Sequence, residues 1–192
     1  MQRIIIFIAL LFSIMSQAQE KPYYYQIPDT STVYTPATVA ARLVDGLGFR
    51  YFWATEGLTE KDLSFQPSKE ARTSFETIEH IYGLTNVLLN AVNERPTGPA
   101  QQEKMSYTEL REKTLQNIRT ASEILKSADA DLNNYDMVFE RNNNRQRYPF
   151  WNLINGPISD ALWHVGQVVT FRRSSGNPLP AGVNVLRGIK SD

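Results

Sequence analysis

Four stretches carry apolar residues at helical spacing, and Gly- or Pro-bearing turns cut them apart. A chain patterned this way is limited to a helical architecture. The first stretch runs from about Thr35 to Glu56, with Val39, Leu43, Val44, Leu47, Phe49 and Phe52 as its apolar stripe. Pro36 fits its first turn, where an N–H is not needed. The segment "GLTEKDLSFQPSKEAR" then breaks the pattern. The second stretch starts at Thr73 or Ser74, and Thr73 and Glu76 have the spacing of a capping box. Its core candidates are Phe75, Ile78, Tyr82, Leu84, Leu88 and Leu89, and "NERPTGPAQQEK" closes it. The third starts at Ser106, capped with Glu109, and reaches about Ala128 along Leu110, Leu115, Ile118, Ile124 and Leu125. "DMVFER" reads as a short extended piece and "RNNNRQR" as a loop. The fourth runs from Pro149 or Phe150 to Ser175, with Gly176 as a left-handed stop and Pro178 behind it. No repeat and no run of alternating strands is evident. The expected fold is all-α, a four-helix bundle over residues 35–178. An irregular lead-in (19–34) precedes it, and a tail (179–192) that packs loosely or frays follows.

The opening "MQRIIIFIALLFSIMSQAQ" has the order of a secretory signal peptide: Arg3, an apolar run from Ile4 to Met15, then small residues. Residues 1–18 are expected to be removed near Ala18 or Gln19, leaving an exported (periplasmic or secreted) protein. The run is short for a bilayer span and no second one follows, so no stable membrane insertion is expected after cleavage. What remains is enough for one domain with a single core. Its 20 Lys and Arg balance 20 Asp and Glu, and loss of Arg3 leaves 19 against 20. No global field would attract nucleic acid or an anionic membrane. Cysteine is absent, so packing alone must hold the fold. That absence also excludes thiolate nucleophiles, Cys-ligated zinc and iron–sulfur clusters. Phosphate-binding glycine loops and serine-nucleophile motifs are missing too.

Chemistry is concentrated at the two histidines. Asp160 stands four residues before His164, and Glu76 four before His80, so each helix carries a carboxylate one turn ahead of an imidazole. Three readings stay open: a divalent-metal site of two nitrogens and one or two oxygens, an acid/base pair, or a buried hydrogen bond. Glu76 has a second explanation as the capping partner of Thr73. Gly83 and Gly166 each lie within three residues of a histidine and cost about 1 kcal/mol inside a helix relative to Ala. Close approach of a neighbouring helix or of a ligand would explain them. Arg141, Arg145 and Arg147 read as a solvated loop or, as the alternative, as contacts for an anionic substrate; Arg172 and Arg173 read as solvated, and Trp53, Trp151 and Trp163 as core or cavity lining.

"GLTEKDLSFQPSKEARTSFETIEHIYGL" resembles the DinB-like (DinB/YfiT) superfamily, in which a Leu-Thr-x-x-x-Leu turn and a Pro-bearing loop lead into a histidine-bearing helix. "DALWHVGQVVTFRRSSGNP" is similar to that family's last core helix, which reads His-x3-His-x-Gly-Gln and ends in Gly. The resemblance spans Thr35 to Pro178. It implies an up-down-down-up four-helix bundle and a divalent metal, zinc or nickel, on three histidines. His80 and His164 match two of them. Asp160 stands where the third would be. An aspartate there either completes a two-His, one-carboxylate set, which favours zinc, iron or manganese, or marks a lost site. Under the first reading Glu76 is a reserve ligand or general base, and the protein is a metal-dependent hydrolase or transferase of a small-molecule substrate. Under the second it is a non-catalytic bundle that binds a small ligand or partner. The thiol transferases of the family depend on cytosolic thiols, which export would deny. Family members often form homodimers.

Overall fold

A computed structural model describes residues 21–28, 33–99, 104–142 and 144–191. The apolar run and cleavage region expected within residues 1–18 lie outside the described residues. The chain is mostly helical, with two small two-stranded sheets. No helix among the described residues is long and apolar enough to cross a membrane.

Helix starts follow the local chemistry of the sequence. Helix α1 (Pro36–Thr55) is capped by Thr35, whose Oγ1 accepts the Thr38 N–H at 3.1 Å while Thr38 Oγ1 accepts the Thr35 N–H at 2.8 Å. A single turn, α2 (Glu60–Leu63), starts with the same reciprocal box between Thr59 and Asp62. Helices α3 (Ser74–Val92) and α4 (Tyr107–Leu125) start at the expected boxes, Thr73 with Glu76 and Ser106 with Glu109. Each box satisfies two amides that the helix itself leaves without partners.

The last helical run is not continuous. It divides into α5 (Phe150–Leu153), a π turn (Ile154–Ile158) and α6 (Ser159–Ser175), which Gly176 ends at φ 98°. Pro157, inside the π turn, has no N–H to give and its ring crowds the carbonyl one turn back. Widening the turn accommodates both, and the Ser159 hydroxyl takes the Ile154 carbonyl at 2.5 Å. One extra residue rotates everything after it by about 100°, so the π turn sets which face of α6 meets which neighbour. Between α4 and α5, strands β1 (Met137–Arg141) and β2 (Asn144–Tyr148) pair antiparallel. Within "RNNNRQR", Arg141 ends β1, Asn142 turns at φ 49°, and residues 144–147 are strand rather than loop. The tail is ordered as well. Strands β3 (Val183–Asn184) and β4 (Ile189–Lys190) pair, and the Ile27 N–H binds the Gly188 carbonyl at 2.7 Å.

Helices α1 and α3 each pack on both α4 and α6 around one core. Leu47, Phe49, Tyr51, Ile78, Ile118 and Ile158 are among its fully buried side chains. Fourteen of the twenty residues of α1 are buried, which makes it the helix the others cover. Val39 and Leu43, expected in its apolar stripe, are exposed instead. The lead-in covers part of the rest. Tyr24 lies flat over Gly48, where a Cβ would fall inside contact distance of three ring atoms. Its hydroxyl donates to buried Asp45 Oδ1 at 3.2 Å, and Lys126 Nζ pairs with Asp45 Oδ2 at 2.6 Å.

At its C-terminal end α1 is closed by side chains of α4 and α6. Arg111 Nη2 donates to the Phe52 carbonyl at 3.3 Å, and the Tyr107 hydroxyl to that of Thr55. Arg172 Nη1 donates to the carbonyls of Trp53 and Ala54 at 2.8 and 3.1 Å. Arg172 is only 2% exposed, so the expectation of a solvated arginine fails there. Its Nε and Nη2 bind Asn177, whose amide donates to Asp62 Oδ2 at 2.8 Å. Burial alone would raise the Asp62 pKa, but hydrogen bonds from Ser175, Asn177 and Thr59 outweigh it and hold the carboxyl far below its ordinary range.

Two outcomes test this packing. Gly48→Ala should cost about 2 kcal/mol in urea unfolding, and the same change in a Tyr24→Ala background should be near neutral, a non-additivity that identifies the ring as the obstacle. Asp62→Asn should destabilise on the order of 2 kcal/mol at neutral pH. Because the folded pKa is depressed, the wild-type advantage is full above the unfolded carboxylate value of about 3.9 and shrinks as pH falls below it. Unfolding free energies of both proteins across that range would show the gap closing.

Candidate metal centre

His80 sits mid-way along α3, and Asp160 and His164 one turn apart at the start of α6. The phase set by the π turn points both α6 side chains at α3. Asp160 Oδ2 lies 3.3 Å from His80 Nε2, and Oδ1 lies 3.3 Å from His164 Nε2. The carboxylate thus stands between two imidazoles, whose rings meet edge to face at 4.6 Å between centroids. One ligand atom from each residue falls within 4.8 Å of the other two. The side chains of His80 and Asp160 are partly open, at 33% and 41% exposure, while His164 is more enclosed at 12%.

Gln167, one turn beyond His164, offers Oε1 to His164 Nδ1 at 2.7 Å. With its Nδ1 engaged by Gln167, Nε2 is the ring nitrogen that faces Asp160. An outer hydrogen bond that fixes the tautomer and aims the other nitrogen inward is the usual support of a metal-binding histidine. Spacing agrees as well: with bonds of about 2.0–2.1 Å, neighbouring ligand atoms of a tetrahedral zinc site are about 3.3 Å apart. The residues fit a divalent cation. Desolvation lowers the His80 pKa, and the nearby charges of Arg72 and His164 lower it further; the hydrogen bond and charge of Asp160 oppose this without reversing it. His80 therefore favours the neutral form that a ligand needs.

The structure brings His80, Asp160 and His164 together and leaves Glu76 out. Glu76 Oε2 is held by the Thr73 N–H at 2.8 Å and by Thr73 Oγ1 at 3.1 Å, so the carboxylate expected as reserve ligand or base is committed to the cap. Those hydrogen bonds also lower its pKa. Gly83 and Gly166 are not explained by a neighbouring helix, because a Cβ at either would meet nothing within 4 Å. Trp53 is buried and lines a cleft, Trp151 lines another although it is largely exposed, and Trp163 is largely exposed. Gln167 was not singled out from the sequence, although its spacing three residues after His164 was the signal that could have found it. Two clefts of about 920 and 890 Å³ lie away from the three ligand candidates, the first beneath the β1–β2 hairpin and the second between α1, α6 and the tail.

Comparison with family models, with curated proteins and with solved structures finds no match to this chain.

In metal-free protein kept in chelator, NMR titration should place the His80 midpoint below the ordinary histidine value of about 6.5. Asp160→Asn should lower it further by removing the opposing carboxylate, and Arg72→Ala should raise it.

Proposed function

We propose that the chain is an exported DinB-like protein, a four-helix bundle of up-down-down-up connectivity over residues 35–178. In this reading His80, Asp160 and His164 hold one divalent cation, zinc first and nickel, iron or manganese after it. The observation that carries it is one carboxylate bridging two imidazoles from two helices, with His164 Nδ1 held by Gln167. The ring of α1, α4, α3 and α6 supports the bundle, and "GLTEKDL" and "DALWHVGQ" support the family. Export near Ala18 rests on the sequence of residues 1–18 alone.

A divalent cation bound there supplies a Lewis acid that polarises a substrate oxygen and acidifies water, chemistry suited to a hydrolase or transferase of a small molecule. The chain's own residues do the rest. Asp160 contributes a hard oxygen donor and one negative charge, so the ligand set neutralises half the charge of the ion. Gln167 keeps the His164 imidazole from turning. The opening at His80 and Asp160 leaves room for a substrate atom on the solvent side, and Arg72 beside it adds positive charge for an anionic group. Glu76 is assigned to the α3 cap and to no catalytic step.

Untagged protein should bind one divalent ion per chain, measured by elemental analysis after dialysis. His80→Ala and His164→Ala should abolish retention, and Gln167→Ala should weaken it by about tenfold or more. Protein that stays metal-free after incubation with zinc, nickel, iron and manganese would defeat the reading, leaving a non-catalytic binding bundle in its place.

A further inference from the structure

The cleft of about 890 Å³ between α1, α6 and the tail faces away from the metal candidates, on the opposite side of α6. Its lining is mostly apolar and includes no acidic side chain among the described residues, yet it contains Arg42, Arg50 and Arg173. Arg42 and Arg50 reach only backbone carbonyls, those of Pro28 and Gly46, and none of the three arginines has an ion pair among the described residues. Arg172 joins the C-terminal end of α6 to that of α1. Along α1, Arg50 stands about two turns beyond Arg42 toward that end, and its Nη1 turns back onto the Gly46 carbonyl. Gly166 forms part of the lining, and a Cβ there would meet open space. A glycine inside a helix, with nothing above it, keeps room for something that is not protein. The outer wall comes from the tail, through Leu179, Val183 and Leu186.

We propose that this cleft binds an amphipathic monocarboxylate of the fatty-acid type. Its apolar body lies along Leu162, Val165 and Val169 over Gly166, and its carboxylate meets the guanidiniums of Arg50 and Arg173. Guanidiniums with no ion pair among the described residues favour an anion, their planar forks match a carboxylate, and an apolar cleft of this size with a few polar groups has the character of a small-molecule site. The assignment uses none of the metal ligands, so it stands or falls separately from the metal reading.

Isothermal titration of the purified protein with dodecanoate, below its micelle concentration, tests it. Saturable one-site binding is expected, with dodecanol at least about tenfold weaker because it lacks the charge. Arg50→Ala with Arg173→Ala should weaken dodecanoate by about tenfold or more, and Arg42→Ala by much less. Gly166→Leu should abolish binding while the melting temperature stays level or rises, since leucine favours the helix and its Cβ meets open space. Absence of saturable dodecanoate binding, equal affinity for dodecanol, equal effects at Arg42 and at the Arg50–Arg173 pair, or undiminished binding by Gly166→Leu would each overturn the proposal.

Discussion

The C-terminal end of α1 is the joint on which the rest of the structure depends. A helix leaves its last four carbonyls without partners, and in α1 these belong to Phe52, Trp53, Ala54 and Thr55. All four are taken by side chains from other helices: Arg111 and Tyr107 of α4, and Arg172 of α6. Two guanidiniums also complement the negative end of the helix dipole. Arg172 could not sit there unpaired, because a buried charge without hydrogen bonds costs far more than the core would return. It is matched by carbonyls on one side and by Asn177 on the other, with Asp62 behind. Ser175 and Thr59 complete the carboxylate's partners, so α2 and the end of α6 are tied to the same point.

This joint was not legible in the sequence, and the reason is physical. Capping boxes were legible because both partners lie within four residues, as Thr73 and Glu76 or Ser106 and Glu109 show. Core positions such as Ile78, Leu88 and Ile118 followed from spacing alone. Arg172 differs, since the carbonyls it caps are more than a hundred residues away and are backbone atoms without a sequence signature. Likewise β2 is polar along its length, with nothing of the alternation that marks a half-buried strand. Val39 and Leu43 mislead in the opposite sense: their spacing is helical and correct, but among the described residues none covers them on that side of α1.

The candidate site was partly legible for the same reasons. Asp160 and His164 share a helix, so their pairing could be read from spacing, whereas their meeting with His80 depends on the packing of α3 against α6. The decisive local element is the π turn at Pro157. A regular helix from Phe150 onward would have turned Asp160 and His164 about 100° away from where they lie, and the carboxylate would not stand between the two imidazoles. Sequence shows a proline ahead of the helix but not that the chain answers it with a widened turn. That kind of turn recurs at functional sites, here one turn or less before the first ligand candidate.

Helix α6 therefore serves two environments at once. Asp160, His164 and Gln167 face α3, while Leu162, Val165, Gly166 and Val169 face the cleft beside α1. Both faces depend on the same two anchors, the π turn at its start and Arg172 at its end, which fix rotation and position together. Neither could shift without disturbing the other, because one rigid helix carries both sets of side chains. The glycine at 166 is consistent with that double duty: a helix held at both ends can tolerate the loss of propensity in its middle. What the helix gives up there in intrinsic stability is small beside the cost of releasing buried Arg172 from its carbonyls. The anchoring that places the metal candidates is thus also what permits an open cleft on the helix's other side.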